Sequence, residues 1–131
     1  ESKWSYFENQ KKWNEFDFSP YIISFEKSVE RFGDYKRLWI WGGASKGVLF
    51  LKHLSDVSPS LFDNVIGVVD INPKKQGLYT PTTNFEIFSP IKFYDTCENG
   101  DAVIVMNPNY YEEVKDSIER QVNKSLSVFS L

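Results

Sequence analysis

The amino-acid sequence predicts an α/β fold, a three-layer α/β/α sandwich around a mostly parallel sheet of about five strands. Short continuous apolar runs alternate along the chain with amphipathic helical segments. Continuous apolar strands are typical of a parallel sheet whose two faces are both covered by helices. A glycine-rich turn joins the first apolar run to the helix after it. Because connections between parallel strands are right-handed, this alternation predicts the arrangement called Rossmann-like.

Length and composition restrict the class of protein further. The 131 residues are enough for one domain, and 41% hydrophobic and 25% charged residues are ordinary for a soluble globular protein. The net charge of −3 gives no reason to expect a nucleic acid or an anionic membrane as partner. No apolar run has the length of a membrane span and no signal peptide opens the chain, so we expect a cytoplasmic protein.

The beginning of the chain has its own composition. Residues 1–18 are rich in aromatic residues without a helical or alternating period, and we interpret them as a partly helical lead-in. Ser19 and Pro20 then provide an N-cap and a first-turn proline for a helix that Gly33 ends. The apolar residues of this helix recur at helical spacing: Ile22, Phe25, Val29 and Phe32. The chain begins with Glu1 rather than Met, so we expect a piece of a longer protein.

Strands and helices alternate in residues 37–131, which we expect to form the domain, while residues 1–36 link it to an absent upstream domain. The predicted strands are Arg37–Trp41, Val65–Asp70, Phe85–Phe88, Ala102–Met106 and Leu126–Leu131. The predicted helices are Ser45–Val57, a short one from Ser89-Pro90 to about Thr96, and Asn109–Val122. We expect Arg37–Trp41 near the centre of the sheet, between Val65–Asp70 and Ala102–Met106.

The sequence also predicts the buried face of the first helix of this domain and an unusually long loop. The helix Ser45–Val57 is predicted to bury Val48, Leu51 and Leu54 against the sheet. Residues 71–85, rich in Pro, Gly, Lys and Thr, form a loop longer than most connections, and long loops often carry function.

The glycine-rich turn after the first strand is the first candidate binding site. Gly42, Ala44 and Gly47 stand where a dinucleotide-binding fingerprint has three small residues. Free N–H groups at a helix N-terminus favour a phosphate, and Lys46 would add a positive charge. A P-loop is excluded because its Gly-Lys-Ser/Thr ending is missing. The alternative is that the glycines serve only the turn and strand–helix packing. The residues predicted to bind a ligand here are Gly42, Gly43, Ala44, Ser45, Lys46 and Gly47.

Asp70, at the end of the second strand, is the second candidate. Its carboxylate would accept hydrogen bonds from ribose hydroxyls, and its charge would disfavour a ribose 2′-phosphate. Lys74 and Lys75, a few residues later, would meet a diphosphate. The alternative is that Asn72-Pro73 is turn chemistry and the lysines are solvated surface.

The third candidate follows the strand Ala102–Met106, where Asn107 and Tyr110 would hydrogen-bond a sugar or a base. Asn109 has Glu112 three residues later, so we predict that Asn109 caps the next helix. Glu112 and its neighbour Glu113 are interpreted as first-turn helix charges rather than general acids or bases.

No set of catalytic residues is found in the sequence. His53 lies in the middle of a predicted helix and is interpreted as a surface residue. Cys97 is the only cysteine, so no internal disulfide forms, a Cys/His metal site is disfavoured, and an inert thiol is expected. We therefore predict no catalytic residue and no metal ligand in this chain.

Three segments together resemble the C-terminal domain of S-adenosylmethionine (SAM)-dependent C-methyltransferases, over about residues 37–131. They are Trp41-Gly-Gly-Ala-Ser-Lys-Gly47, then Asp70-Ile-Asn-Pro-Lys-Lys-Gln-Gly-Leu-Tyr-Thr-Pro81 with Ile87 and Ser89-Pro90, then Asn107–Glu113. Gly43 departs from the family, which more usually has alanine there, and Thr82 stands where the family often has glycine.

The resemblance implies a three-part enzyme with a small zinc-binding region, a central methyltransferase domain and this end domain. Better-known members of the family methylate sugars carried on nucleotide diphosphates. SAM and zinc are then expected in the absent upstream domains, with no cofactor in this one. The implied role is to bind or enclose the nucleotide-linked sugar and to pack against the upstream methyltransferase domain, without catalysis by this domain alone. Two other functions stay open, an NAD-binding oxidoreductase fragment and a degenerate Rossmann-like domain that mediates assembly without a ligand.

Overall fold

The described residues contain a five-stranded, all-parallel sheet, as the sequence predicted. The computed structural model describes residues 30–42 and 45–131, so the predicted lead-in and most of its helix lie outside the described residues. The strand order is β3-β2-β1-β4-β5, with every pairing parallel. The strands are β1 Leu38–Trp41, β2 Val65–Val69, β3 Ile87–Phe88, β4 Ala102–Val105 and β5 Ser127–Ser130. The prediction that the first strand lies between the second and the fourth is confirmed.

Helices connect these strands, and most of them lie where the apolar period placed them. They are α1 Ser45–Val57, α2 Pro59–Phe62, α3 Pro90–Thr96, a 3₁₀ turn Pro108–Tyr110 and α4 Tyr111–Gln121. The four-residue α2, which begins with a proline at its first position, was not predicted because it is too short to show a period. Helical residues 30–32 precede a turn at Gly33, as expected.

The predicted cap of the last helix is wrong. α4 begins after Tyr110 without a side-chain cap, and Asn107 instead caps the 3₁₀ turn before it, where its side-chain oxygen accepts a hydrogen bond from the N–H of Asn109 at 3.0 Å. Pro108 explains the shift, since its fixed φ suits the first position of a helical turn and so moves the start upstream. The cap predicted at Ser89 is found, with its hydroxyl accepting from the N–H of Lys92 at 3.1 Å.

Two apolar layers cover the two faces of the sheet. Successive residues of β1 point to opposite faces, so Leu38 and Ile40 pack with α1 and α2, while Trp39 and Trp41 pack with α3 and α4. Phe88 and Phe93 meet the ring of Trp39 edge-on, with ring centroids 5.0 and 4.9 Å away. These two layers and the sheet between them form the predicted α/β/α sandwich.

The buried face of α1 differs from the predicted one by one residue. Leu51 and Leu54 are buried as expected, but Val48 is only half-buried and Phe50 is buried instead. The reason is the close approach of the buried Gly47 to the β1–α1 turn, where an added Cβ would lie 2.3 Å from the carbonyl oxygen of Gly42. This contact fixes the rotation of the helix and turns Val48 to the side.

The amino end of the sheet is closed by a buried carboxylate. Asp101, 1% exposed, accepts hydrogen bonds from Arg37 Nε at 2.8 Å, from Trp39 Nε1 at 2.9 Å and from the N–H of Glu98 at 2.9 Å. Arg37 also pairs with the Glu98 carboxylate at 2.8 Å. The network ties the start of β4 to the start of β1, and three donors offset the cost of burying the charge.

Candidate functional site

A cavity of about 510 Å³ lies at the carboxyl ends of β1, β2 and β4. The chain builds β2 and β3 on one side of β1 and then crosses to build β4 and β5 on the other. In open parallel sheets, ligands bind at this reversal of strand order. The cavity is lined by Trp41, Gly42, Lys46, Asp70, Ile71, Pro90, Tyr94, Val105, Met106, Asn107, Tyr110, Glu113, Val114 and Ser117.

The β1–α1 turn contributes Gly42 and Lys46 to the cavity. Gly42 has a φ of +106°, which glycine adopts without strain, and its N–H donates to the carbonyl of Val69 at 2.8 Å. Gly47 does not line the cavity and instead allows close packing of α1 on the turn. Gly43 and Ala44 lie outside the described residues, and of Ser45 only its place at the start of α1 is described.

Asp70 lies at the cavity wall directly after β2. Its side chain is buried, with the residue 9% exposed, and its Oδ1 accepts from the N–H of Asn72 at 2.9 Å. That is the one hydrogen bond of this carboxylate among the described residues, so Oδ2 remains able to accept from a ligand. Gln76 holds the backbone here by donating from Nε2 to the Asp70 carbonyl at 2.9 Å.

Lys75 is not brought to the cavity. The turn chemistry at Asn72 bends the chain, because its Oδ1 accepts from the N–H of Lys74 at 3.1 Å and its carbonyl accepts from the N–H of Lys75 at 3.0 Å. Gly77 then returns to the sheet by donating to the carbonyl of Ile87 at 2.8 Å. The half-buried Lys75 is left outside the cavity lining.

The rest of the long loop folds back on itself. Tyr79 forms an antiparallel bridge with Glu86, and the buried Thr80 accepts at its hydroxyl from the N–H of Phe85 at 2.9 Å. Two residues between them, Thr82 and Asn84, have φ values of 70° and 58°. Thr82, which departs from the usual glycine of the resembled family, therefore holds a backbone conformation that glycine adopts more easily.

The wall opposite Asp70 comes from the start of α4. Asn107 and Tyr110 line the cavity as predicted by position, and Asn107 also caps the turn after β4. Glu113 and Ser117 line it too, although neither was predicted as a ligand contact. Their spacing of three and seven residues from Tyr110 puts all three on one helix face, but the sequence alone does not show that this face meets the cavity.

Aromatic side chains cover the side of the cavity that faces α3. Trp41 packs on Phe93 with ring centroids 5.5 Å apart, and Tyr94 lies beside them at the cavity wall. Burial raises the pKa of the Tyr94 hydroxyl, against an opposing effect of Arg120. Tyr94 therefore stays a neutral phenol that can donate a hydrogen bond.

The charged side chains of the lining are one lysine and two carboxylates, Lys46, Asp70 and Glu113. No ion pair is formed by any of the three within the described part of the chain. His53 and Cys97 lie away from the cavity, His53 half-buried in α1 and Cys97 1% exposed. Burial raises the pKa of the Cys97 thiol, so the thiol stays protonated, in line with the expected inert role.

Two other features are absent from the part of the chain that the structure describes. Across residues 30–42 and 45–131, no group of three His, Cys, Asp or Glu side chains is placed to hold a metal ion. Within the same residues, no helix combines the length and apolar character that crossing a membrane requires.

A known protein family matches most of the chain. The family model for the C-methyltransferase C-terminal domain matches residues 22–128. No curated protein gives a significant match to the sequence.

Proposed function

Because the chain belongs to the C-methyltransferase C-terminal domain family, we propose that it binds the nucleotide-linked sugar that a SAM-dependent methyltransferase domain methylates. In this proposal the domain is not catalytic alone. It packs against an upstream methyltransferase domain and holds the acceptor for it. SAM supplies the methyl group, and SAM and zinc belong to the other domains.

The observation that carries the proposal is the cavity at the reversal of strand order. Its middle lies between the end of β1 and the start of α1, where Gly42 and the Lys46 ammonium would meet a diphosphate. The wall beside it is the buried Asp70, whose Oδ2 would accept from a ribose hydroxyl. The aromatic wall of Trp41 and Tyr94 offers apolar surface to the less polar parts of the ligand.

Calorimetric titration of the chain with dTDP-glucose and UDP-glucose tests the proposal, with NAD and SAM as comparison ligands. We expect saturable binding of a nucleotide sugar, weakened by added salt because the diphosphate is charged, and no micromolar binding of NAD or SAM. Lys46→Ala should weaken nucleotide-sugar binding by about ten-fold, the loss of one charge-assisted contact of roughly 1.4 kcal/mol. Failure of both nucleotide sugars to bind would contradict the proposal.

A matched control is available on the same helix. Lys52 is exposed on α1, pairs with Asp56 at 3.3 Å and does not line the cavity. Lys52→Ala should therefore leave the affinity for the nucleotide sugar unchanged. Equal losses in the two lysine variants would indicate a general charge effect rather than a site, and preferential binding of NAD would favour the oxidoreductase alternative.

A further inference from the structure

The cavity extends beyond the region proposed for the diphosphate, onto one face of α4. The proposed function assigns no role to this face. Tyr110, Glu113 and Ser117 line this part at helical spacing. Val114 and Ile118, beside them on the helix, are buried against the sheet. Burial of these two residues fixes the rotation of α4, so Glu113 and Ser117 face the cavity as a consequence of core packing.

Charges alternate along the crevice in an order that the sheet sets. Asp70 follows β2, Lys46 follows β1, and Glu113 lies on the helix that follows β4. Since β1 lies between β2 and β4, the cationic region lies between two carboxylates. The ends of β2 and β4 are two strand spacings apart, about 10 Å, so the two carboxylates lie on opposite sides of the cationic region.

The charge of Glu113 decides which part of a ligand it faces. A second carboxylate beside a diphosphate would repel it, whereas a carboxylate beside a pyranose would accept hydrogen bonds from its hydroxyl or amino groups. Ser117, one helical turn on, adds a hydroxyl that donates and accepts. Tyr110, 56% exposed, offers a ring face for the C–H groups of a sugar.

We propose that Tyr110, Glu113 and Ser117 form the subsite for the sugar ring of the nucleotide sugar, with Glu113 as the residue that determines its specificity. The proposal rests on the proposed function, since it assumes that the diphosphate lies at the β1–α1 turn. This subsite selects sugars that present a hydroxyl or amino donor to α4, and the nucleoside then lies on the Asp70 side of the cavity.

Glu112 provides a control that separates this role from a structural one. Both glutamates are exposed, both lie in the first turn of α4 and both favour the helix dipole there. Only Glu113 lines the cavity. Glu113→Gln and Glu112→Gln should therefore lower the melting temperature by the same small amount, and any difference between them in sugar recognition comes from the cavity.

The experiment is a calorimetric titration of the wild type and both variants with dTDP and with dTDP-glucose. We expect the wild type to bind dTDP-glucose about ten-fold more tightly than dTDP, the value of one charge-assisted hydrogen bond. Glu113→Gln should reduce this ratio to about one with the dTDP affinity unchanged, and Glu112→Gln should keep it. The sugar subsite would be overturned if Glu113→Gln kept the wild-type preference for dTDP-glucose over dTDP, or if the wild type showed no such preference. In either case, binding of dTDP would leave the proposed function standing. Absence of binding by both ligands would overturn the proposed function itself.

Discussion

Replacement of Gly47 by alanine has two effects of opposite sign on the stability of the protein. Alanine favours a helix over glycine by about 1 kcal/mol, so propensity alone predicts a more stable protein. The structure predicts the reverse, because the new Cβ would lie 2.3 Å from the carbonyl oxygen of Gly42, where real Cβ contacts are essentially never below 3.0 Å. The obstacle is backbone, so no side-chain rotation relieves the contact.

The magnitude follows from what has to move. Relief requires α1 to shift by about 1 Å away from the turn, and a gap of that size forfeits roughly a quarter to a half of the dispersion attraction at each contact. Phe50, Leu51 and Leu54, all fully buried, would lose about 2 kcal/mol together on that basis. Strain from overpacking adds about 1–3 kcal/mol. After subtraction of the helix-propensity gain, Gly47→Ala should lower the free energy of unfolding by roughly 2–4 kcal/mol.

Thermal and urea unfolding followed by circular dichroism measure this change. For a domain of this length we expect the melting temperature to fall by about 6–16 °C. Ser55→Ala, on the same helix, serves as the control and should change stability by less than about 0.5 kcal/mol. A Gly47→Ala variant as stable as the wild type, or more stable, would refute the packing argument and show that α1 has room for a side chain there.

The remaining predictions concern other positions. Gly67→Ala should destabilise the fold by about 1–3 kcal/mol in urea unfolding, because its Cβ would lie 2.9 Å from Cε1 of Phe88; an unchanged midpoint would contradict this. Thr82→Gly should raise the free energy of unfolding by up to about 1 kcal/mol, because the strain of a left-handed threonine, about 1–2 kcal/mol, exceeds the entropic cost of a glycine. Asn84→Gly should gain less, since asparagine tolerates that conformation. Cys97 should resist iodoacetamide in the folded chain and react on unfolding in urea. Because burial raises the pKa of its thiol, the free energy of unfolding should fall as pH rises through the ordinary thiol range near about 8.5. Rapid alkylation of the folded chain would contradict the protection of Cys97, and stability that stays constant across this pH range would contradict the pKa argument.

The period of apolar residues was enough to predict most of the fold. The continuous run at Leu38–Trp41 is buried on both faces, and such a run specifies a central parallel strand without information from elsewhere in the chain. The apolar period did not decide whether Val48 or Phe50 is buried, because that depends on how closely Gly47 approaches Gly42. The cap after β4 depended on one local effect, the proline at position 108, which the capping pattern at Asn109 concealed.

The predicted residues that line the cavity all stand within five residues of the end of a strand. Asp70 is the first residue after β2, Asn107 is the second after β4, and Lys46 and Tyr110 are each the fifth after a strand. Lys75 is the sixth residue after β2, and the turn at Asn72 carries it elsewhere. Glu113 and its neighbour Glu112 look equivalent in the sequence, and the burial of Val114 is what distinguishes them. Positions that depend on helix rotation therefore require the packed core before they can be assigned.

The buried network at Asp101 has a consequence for how this domain can be altered. It fastens β1 to β4 at their amino ends, whereas the cavity lies between the carboxyl ends of the same two strands. The residues of the Asp101 network are thus separate from those that would contact a ligand. A library that randomises Tyr110, Glu113 and Ser117 should therefore yield mostly folded variants, so that ligand preference can be selected without a parallel search for compensating stability.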